Sequence, residues 1–427
     1  MMRIFSTQKD TIETIVARKQ SETKDVSTVV AQIIARVQQQ GDQALFQLIE
    51  EIDQVSLTSL TVSLEEVETA VQAVSPELLE VMEQAKENIL AFHQKQVQQG
   101  FVLTKENGVV MGQRVLPLAK VGVYVPGGTA AYPSTVLMDV LPAKIAGVKK
   151  IVMITPTDSQ GKVPAAILAA AFVAGVDEIY KVGGAHGVAA LAYGTETIPK
   201  VDKIVGPGNI YVATAKKMVY GEVDIDMIAG PSDVLIIADA SANPRWLAAD
   251  LLAQAEHDPL AQAILVTTEA ALIEQVQVEL DLQLKELPRK DIAAAALESS
   301  GKLILVNDLS EALTIANQIA PEHLELAVAD PFALLGQVEN AGSVFLGHHT
   351  PEVLGDYFAG PNHTLPTEGT ARFYSPLSVD DFIKKSSYLY YPEAAMKAAG
   401  PAVALFAETE DLIGHARSIN VRREGDK

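Results

Sequence analysis

From residue 121 onward the chain repeats one pattern, a short apolar run that ends in glycine or proline and leads into an alanine-rich stretch. Val121-Gly122-Val123-Tyr124-Val125 runs into Pro126-Gly127-Gly128, and Lys150-Ile151-Val152-Met153-Ile154 into Thr155-Pro156. Ile179-Tyr180-Lys181-Val182 meets Gly183-Gly184, and Lys203-Ile204-Val205 meets Gly206-Pro207-Gly208. Apolar runs this short, punctuated this way, predict buried strands. Their alternation with helical stretches predicts parallel sheets covered by helices on both faces. A second set follows at 234–238, 263–267, 303–306 and 343–346. The pattern therefore predicts an α/β chain of two doubly wound parallel-sheet units, hinged near Ala229-Gly230-Pro231-Ser232.

The first hundred residues read as helical instead. Ser63-Leu64-Glu65-Glu66 fits a capping box, and Ser75-Pro76 an N-cap followed by proline at the first helical position. Leu78, Leu79, Val81, Met82, Ile89 and Leu90 then recur at near-helical spacing. Asn107-Gly108 between apolar runs signals a hairpin. The tail from about Ser378 reads as helical, so small helical appendages are expected at both ends.

Composition narrows the function. The 427 residues carry 33 Lys and Arg against 54 Asp and Glu, a net charge of −21. Such a surface repels phosphate backbones, which argues against a nucleic-acid or anionic-membrane binder. With no cysteine, disulfides, thiolate metal sites and a cysteine nucleophile are all excluded. The longest apolar stretch, near 165–176, falls short of the roughly 18–20 residues of a membrane span. The N-terminus shows no secretory h-region. The expectation is a soluble cytoplasmic protein of more than one domain.

Four places offer chemistry. Gln254 and His257, three apart at the end of an expected helix, share a face. Together they can hold a divalent metal, or His257 can simply cap the helix. Ala320-Pro321-Glu322-His323 reads as a turn after a helix, with an acid and a base side by side for proton transfer or as two solvated residues. Gly355-Asp356-Tyr357 and Gly360-Pro361-Asn362-His363 form a polar loop that reads as a site. Glu410 and His415 fall on one late expected helix and share a face only loosely. His93, His348 and His349 read as ordinary surface histidines. The turn Gly206-Pro207-Gly208-Asn209-Ile210-Tyr211 fits the dinucleotide fingerprint poorly, with Tyr211 where its third glycine belongs.

Taken in order, several of these motifs resemble the histidinol dehydrogenase family. Tyr124-Val125-Pro126-Gly127-Gly128, Val205-Gly206-Pro207-Gly208-Asn209, Ala229-Gly230-Pro231-Ser232 and Gln254-Ala255-Glu256-His257 carry the resemblance. So do Pro321-Glu322-His323-Leu324, Gly342-Ser343-Val344-Phe345-Leu346-Gly347 and Asn362-His363. The resemblance implies sequential oxidation of L-histidinol through L-histidinaldehyde to L-histidine, the last two steps of histidine biosynthesis. It implies NAD as oxidant and one zinc per subunit. Residue by residue, it implies Gln254, His257, Asp356 and His415 as zinc ligands that also bind substrate, and Glu322 and His323 as the catalytic pair. Ser232, His323, His363 and Glu410 would hold substrate, and Tyr124, His186 and Asn209 would contact NAD. His186 stands where the family usually has glutamine, so an altered NAD contact is expected there.

The resemblance also implies a homodimer whose tail, with Glu410 and His415, completes the partner's site. The implied parts are an N-terminal helical arm (1–22), an incomplete Rossmann-like domain (23–122 with 232–377), a second such domain (123–231) and the tail (378–427). A same-fold NAD and zinc dehydrogenase of another amino alcohol or diol is the nearest alternative. A zinc hydrolase and a non-catalytic binding protein are more distant ones.

Overall fold

The computed structural model describes residues 2–18, 25–127, 132–228 and 230–424. Gly128, Ala229 and the boundary expected at 22/23 lie outside the described residues. The chain divides into two compact units, Met1–Gln96 with Leu118–Phe382, and Val97–Pro117 with Ile383–Lys427.

The first unit holds two parallel sheets. One has five strands: β4 (Lys120–Tyr124), β5 (Lys150–Thr155), β6 (Glu178–Lys181), β7 (Lys203–Val205) and β8 (Asp224–Ile225), in the order β6-β5-β4-β7-β8. The other has six: β1 (Arg3–Ser6), β9 (Asp233–Ala238), β10 (Gln262–Thr267), β11 (Lys302–Leu305), β12 (His323–Ala327) and β13 (Ser343–Leu346), ordered β1-β11-β10-β9-β12-β13. Counted from its own first strand, each sheet runs 3-2-1-4-5, an incomplete Rossmann order; β1 adds an edge to the larger one. The doubly wound α/β architecture expected from the sequence is present.

Period-two burial explains the layers. Leu235, Ile237, Ile264, Val266 and Ile304 face one core of the six-stranded sheet, and Val234, Ile236, Ala263, Leu265 and Leu303 face the other. In the five-stranded sheet Tyr124, Val152 and Ile154 share one core with helix Ser27–Gln40, while Val121, Val123, Ile151 and Met153 share the other with helix Pro76–His93. Residues 26–93, expected with the larger sheet, thus belong with the smaller one, packed as an outer layer on its flanking helices Pro133–Ala146, Ala165–Ala174, Gly184–Tyr193 and Ile210–Val219.

Local signals held. Ser63 and Glu66 form the reciprocal capping box, and Ser75 caps the helix that Pro76 opens. Three expectations did not. The N-terminal arm begins with a strand, paired with β11 from Arg3↔Lys302 to Ser6↔Leu305. The turn expected after the helix is shorter than read: Ala320 to Glu322 form it, and His323 already opens β12, sandwiched between β9 and β13. His93 is fully buried, its Nδ1 2.7 Å from Gln96 Oε1.

The second unit contains an antiparallel sheet of β2 (Phe101–Thr104), β3 (Val110–Pro117) and β14 (Ile383–Tyr390), in the order β14-β3-β2. Asn107-Gly108 makes the expected hairpin turn, with Gly108 at φ +81°. The tail expected to be helical from about Ser378 instead opens with a 3-10 turn, Val379–Phe382, and strand β14, followed by helices Glu393–Thr409 and Ile413–Glu424.

The turn after β7 is built on a buried network. Gly206 N–H donates to Asp226 Oδ2 (2.8 Å), Lys216 Nζ donates to Gly206 O (2.8 Å), and Lys216 pairs with Asp226. Gly206 sits at φ +111°, where an added Cβ would lie 2.1 Å from Tyr124 O. Gly206→Ala should therefore lower stability by on the order of 3 kcal/mol, from strain and overpacking together. Gly221→Ala, at φ +103° with nothing within 4 Å of the added Cβ, should show only the strain. Denaturant midpoints of the two variants check this; equal losses would refute the close-approach argument.

Candidate functional site

In each sheet the strand order reverses at one place, between β4 and β7 and between β9 and β12, and the candidate residues gather at these two points. Tyr124 ends β4, and Gly206 to Asn209 follow β7, at the carboxyl ends where such sheets bind ligands. In the six-stranded sheet the candidates lie at the opposite, amino ends: Asp233 opens β9 and His323 opens β12.

Glu322 and His323 are both buried, and both are fastened to Asp233. The Asp233 N–H donates to Glu322 Oε2 (3.0 Å), and the Glu322 N–H donates to Asp233 Oδ1 (2.7 Å). His323 Nδ1 lies 3.1 Å from the Asp233 carbonyl oxygen. A carbonyl only accepts, so Nδ1 carries a hydrogen and Nε2 is the nitrogen directed at the site. Nε2 is buried without a hydrogen-bond partner, 3.4 Å from Asp356 Oδ1. On the far side, Ser343 N–H donates to Glu322 O, and a Cβ on Gly342 would lie 2.5 Å from that oxygen. Glycine is thus required where β13 approaches the pair.

Burial pushes Glu322 up to about 7 despite the nearby His323. Burial would lower His323, but the Glu322, Glu352 and Asp356 carboxylates outweigh it and hold the imidazole well above its ordinary value. Asp356 shows the reverse balance: burial raises it, and His323, His363 and His257 bring it below the usual carboxylate range. His363 Nδ1 lies 2.9 Å from the Asp356 carbonyl, which by the same reasoning turns its Nε2 outward.

Helix Pro244–Ala255 brings Gln254, buried in its last turn, and His257 just beyond its end. With its amide nitrogen toward Glu352, 3.2 and 3.1 Å from the two carboxylate oxygens, Gln254 satisfies both groups, and its oxygen then points away from Glu352. His257 feels the charges of Asp356 and His323. The structure therefore gathers Gln254, His257, Glu322, His323, Asp356 and His363, and leaves Ser232 partly exposed immediately before Asp233. Among the described residues no three His, Asp or Glu side chains are arranged as a closed metal site. Gln254, His257 and Asp356 nonetheless offer an amide oxygen, an imidazole and a carboxylate, a donor set suited to zinc.

Two carboxyls escaped sequence reasoning. Asp233 opens an apolar strand and reads as mere punctuation. Glu352 sits in the first turn of a short helix after Pro351, yet it is buried beside His323 Nδ1 (3.6 Å) and pushed up to about 8 by burial.

On the other sheet Tyr124 Oη accepts from Gly184 N–H (3.2 Å), and burial pushes the phenol up to about 12. His186, two residues on, is 1 % exposed; neither ring nitrogen has a partner, and Asp53 Oδ2 lies 3.8 Å away. Burial pushes it down to about 4, so it is neutral at pH 7. Asn209 Oδ1 caps helix Ile210–Val219. Glu410 and His415 belong to the second unit and do not share a helix: Glu410 caps Glu393–Thr409, Asp411 turns at φ +58°, and His415 lies in Ile413–Glu424.

Comparison with known proteins identifies the family. The chain is 56% identical over 405 residues to histidinol dehydrogenase of Clostridium acetobutylicum, covering 95% of this chain and 94% of that protein. It is 56% identical over 399 residues to histidinol dehydrogenase of a Listeria monocytogenes serotype 4b strain, with 93% of each covered. The crystal structure of histidinol dehydrogenase from Elizabethkingia anophelis superposes with a TM-score of 0.94 at 38% identity, covering 99% of this chain and 98% of that one. The histidinol dehydrogenase family model matches residues 16–423, and with relatives this similar over nearly its whole length the chain belongs to the histidinol dehydrogenase family.

Proposed function

We propose that this chain oxidises L-histidinol through L-histidinaldehyde to L-histidine, with two NAD molecules consumed at each site. The observation that carries the reading is the buried Glu322–His323 pair, with His323 Nε2 directed at Asp356 beside Gln254 and His257.

In this reading Gln254, His257 and Asp356 hold one zinc together with His415 of the partner subunit. When bound, the metal supplies Lewis acidity and a fixed point for the substrate's nitrogen groups. Glu352 keeps the Gln254 oxygen free to serve as a ligand by taking its nitrogen. His363, Ser232 and Glu410 of the partner subunit hold the rest of the substrate. Tyr124, His186 and Asn209 line the NAD side; because Asn209 Oδ1 is engaged as a helix cap, its amide nitrogen is the group it offers. NAD held there would supply the hydride acceptor for the alcohol and then for the hydrated aldehyde.

A bound metal's charge would counter the carboxylates that raise His323, and the neutral ring would then take the hydroxyl proton on Nε2, with the Nδ1–H held by Asp233. The second oxidation needs a hydrated aldehyde, since the absence of cysteine excludes a thiohemiacetal. Glu322 activates that water; a carboxyl near 7 both takes and releases a proton close to neutral pH.

A dimer suits the second unit's surface. Leu405, Phe406 and Ile413, on or beside the two tail helices, are 65%, 74% and 63% exposed, and large exposed apolar side chains grouped in this way mark protein interfaces.

Three outcomes test the reading. His257→Ala should lose stoichiometric zinc by elemental analysis while keeping its circular dichroism spectrum, and full retention of metal would reject the ligand set. Glu322→Gln should slow oxidation of supplied histidinaldehyde by about 10²–10⁴-fold and slow the first oxidation less; equal losses would reject its role in water activation. Co-refolding inactive Glu322→Gln and His415→Ala chains in equal amounts gives about half mixed dimers, each with one intact shared site. Roughly a quarter of wild-type activity should return. If mixed dimers are confirmed by mass spectrometry and activity stays at the parents' level, the cross-subunit site is excluded.

A further inference from the structure

Asp233 offers three groups to the Glu322–His323 pair: Oδ1 to the Glu322 N–H, its own N–H to Glu322 Oε2, and its carbonyl to His323 Nδ1. Its remaining oxygen, Oδ2, belongs to a side chain only 1% exposed. Left unpaired, that charge would favour any rotation or protonation that relieved it, and both would release Glu322. What meets it comes from more than two hundred residues earlier in the chain. Arg18 Nη1 donates to Asp233 Oδ2 at 2.9 Å.

The same guanidinium makes a second contact. Arg18 Nη2 donates to the carbonyl oxygen of Ile319 at 2.9 Å. Ile319 is the last residue of helix Leu309–Ile319, and only Ala320, at φ +51°, and Pro321 separate it from Glu322. Arg18 thus bridges the two backbone segments that the acid–base pair depends on: the start of β9 through Asp233, and the helix end that delivers Glu322. A planar fork with two parallel donors spans both acceptors at once; a lysine ammonium, a point charge on a flexible stem, does not reproduce that geometry.

Arg18 is itself held in place. Lys302, a buried residue of β11, donates from Nζ to the carbonyl oxygens of Ile15 (2.7 Å) and Ala17 (2.8 Å). These close the short helix Ile12–Val16 immediately before Arg18. A cation at a helix C-terminus is electrostatically favourable, and here it also fixes where the arginine starts.

We propose that Arg18 is a positioning residue for catalysis: through Asp233 and Ile319 it holds the Glu322 carboxylate and the His323 ring in their working orientation. The proposal rests on the reading of Glu322 and His323 as the acid–base pair. Arg18 makes no contact with Gln254, His257, Asp356 or His363 among its hydrogen bonds and ion pairs. Its loss should therefore affect turnover and leave substrate and metal binding nearly unchanged.

The test uses full-length Arg18→Ala, Arg18→Lys and Glu322→Gln with histidinol and NAD, measuring kcat, both KM values, zinc content and the thermal midpoint. Arg18→Ala should lower kcat by about 10²-fold, the scale of a misplaced catalytic group, with each KM within about twofold and zinc at the wild-type level. Free guanidinium at non-denaturing concentration should restore part of kcat in Arg18→Ala and none in Glu322→Gln; the arginine side chain is 24% exposed, so its place is open to solvent. Arg18→Lys keeps the charge and protects the fold, and should still lose most of kcat. The proposal is overturned if both Arg18 variants keep kcat within twofold of wild type. It is equally overturned if the kcat loss tracks the loss of folded protein and guanidinium restores nothing. If Glu322→Gln itself turns over normally, the acid–base reading falls instead, and the two failures are told apart.

Discussion

The dominant constraint on this site is the burial of several carboxyl groups around one imidazole. Glu322, Glu325 and Glu352 are each at most 5% exposed, and Asp233 is 1% exposed. Desolvation raises Glu322, Glu325 and Glu352, which means that each ionised form must be offset by a donor or a cation. The structure meets this largely with main-chain hydrogen. Asp233 N–H serves Glu322, Glu322 N–H serves Asp233, and Glu352 N–H serves Glu325 Oε1 at 2.8 Å. Main-chain donors cannot swing away, so the carboxyls are oriented by the sheet itself. The concentration of polar groups at the amino edge of the six-stranded sheet follows, because there Asp233, the first residue of β9, and Glu322, just before β12, still have N–H groups to give.

The two sheets then face a coupling problem, since Tyr124, His186 and Asn209, proposed to contact NAD, and Glu322 and His323, proposed as the acid–base pair, sit on different ones. Part of the answer lies in the loop carrying His363. Asn362 Nδ2 donates to Met138 O at 2.6 Å and Thr364 Oγ1 donates to Asp139 Oδ1 at 2.8 Å, both on helix Pro133–Ala146 of the five-stranded sheet. His363 is therefore framed on both sides by bonds to the neighbouring sheet while its own Nδ1 is fixed to Asp356 O. Asp139, fully buried and pushed by desolvation up to about 8, is held largely neutral, so this tie does not add another charge to the interior.

Much of this was legible in the sequence, for identifiable reasons. Glycine-terminated apolar runs, the Ser63 capping box and the Asn107-Gly108 turn are local signals, and each folded as read. Gln254 and His257 were found because a helix places residues three apart on one face. The strand β12 was missed because Pro321 and two acids interrupt what otherwise alternates as a strand should, and the buried Glu325 looks solvated until its partner Glu352 is seen. Asp233, Arg18 and Glu352 have no local signature: their roles arise from contacts between residues 27 to 215 positions apart. The same limit applies to 26–93, whose helical stripes declare that they pack but not on which sheet.

The edge strand β1 also carries a consequence for how the chain is made. It leaves the ribosome long before its sheet partner among the described residues, β11, which begins at Lys302. At roughly 5–20 residues per second, synthesis of the intervening 300 or so residues takes about 15–60 s. The five-stranded sheet and the helices from Ser27 to His93 that share its cores are complete by residue 225, so that half has nearly all of its core, Leu377 and Phe382 excepted, available well before release. The N-terminal segment, with Met2 destined for burial beside Gly301, must wait unpaired while its destination is still being translated. Vectorial synthesis thus makes β1 early and places it late, after the strand it pairs with has been translated.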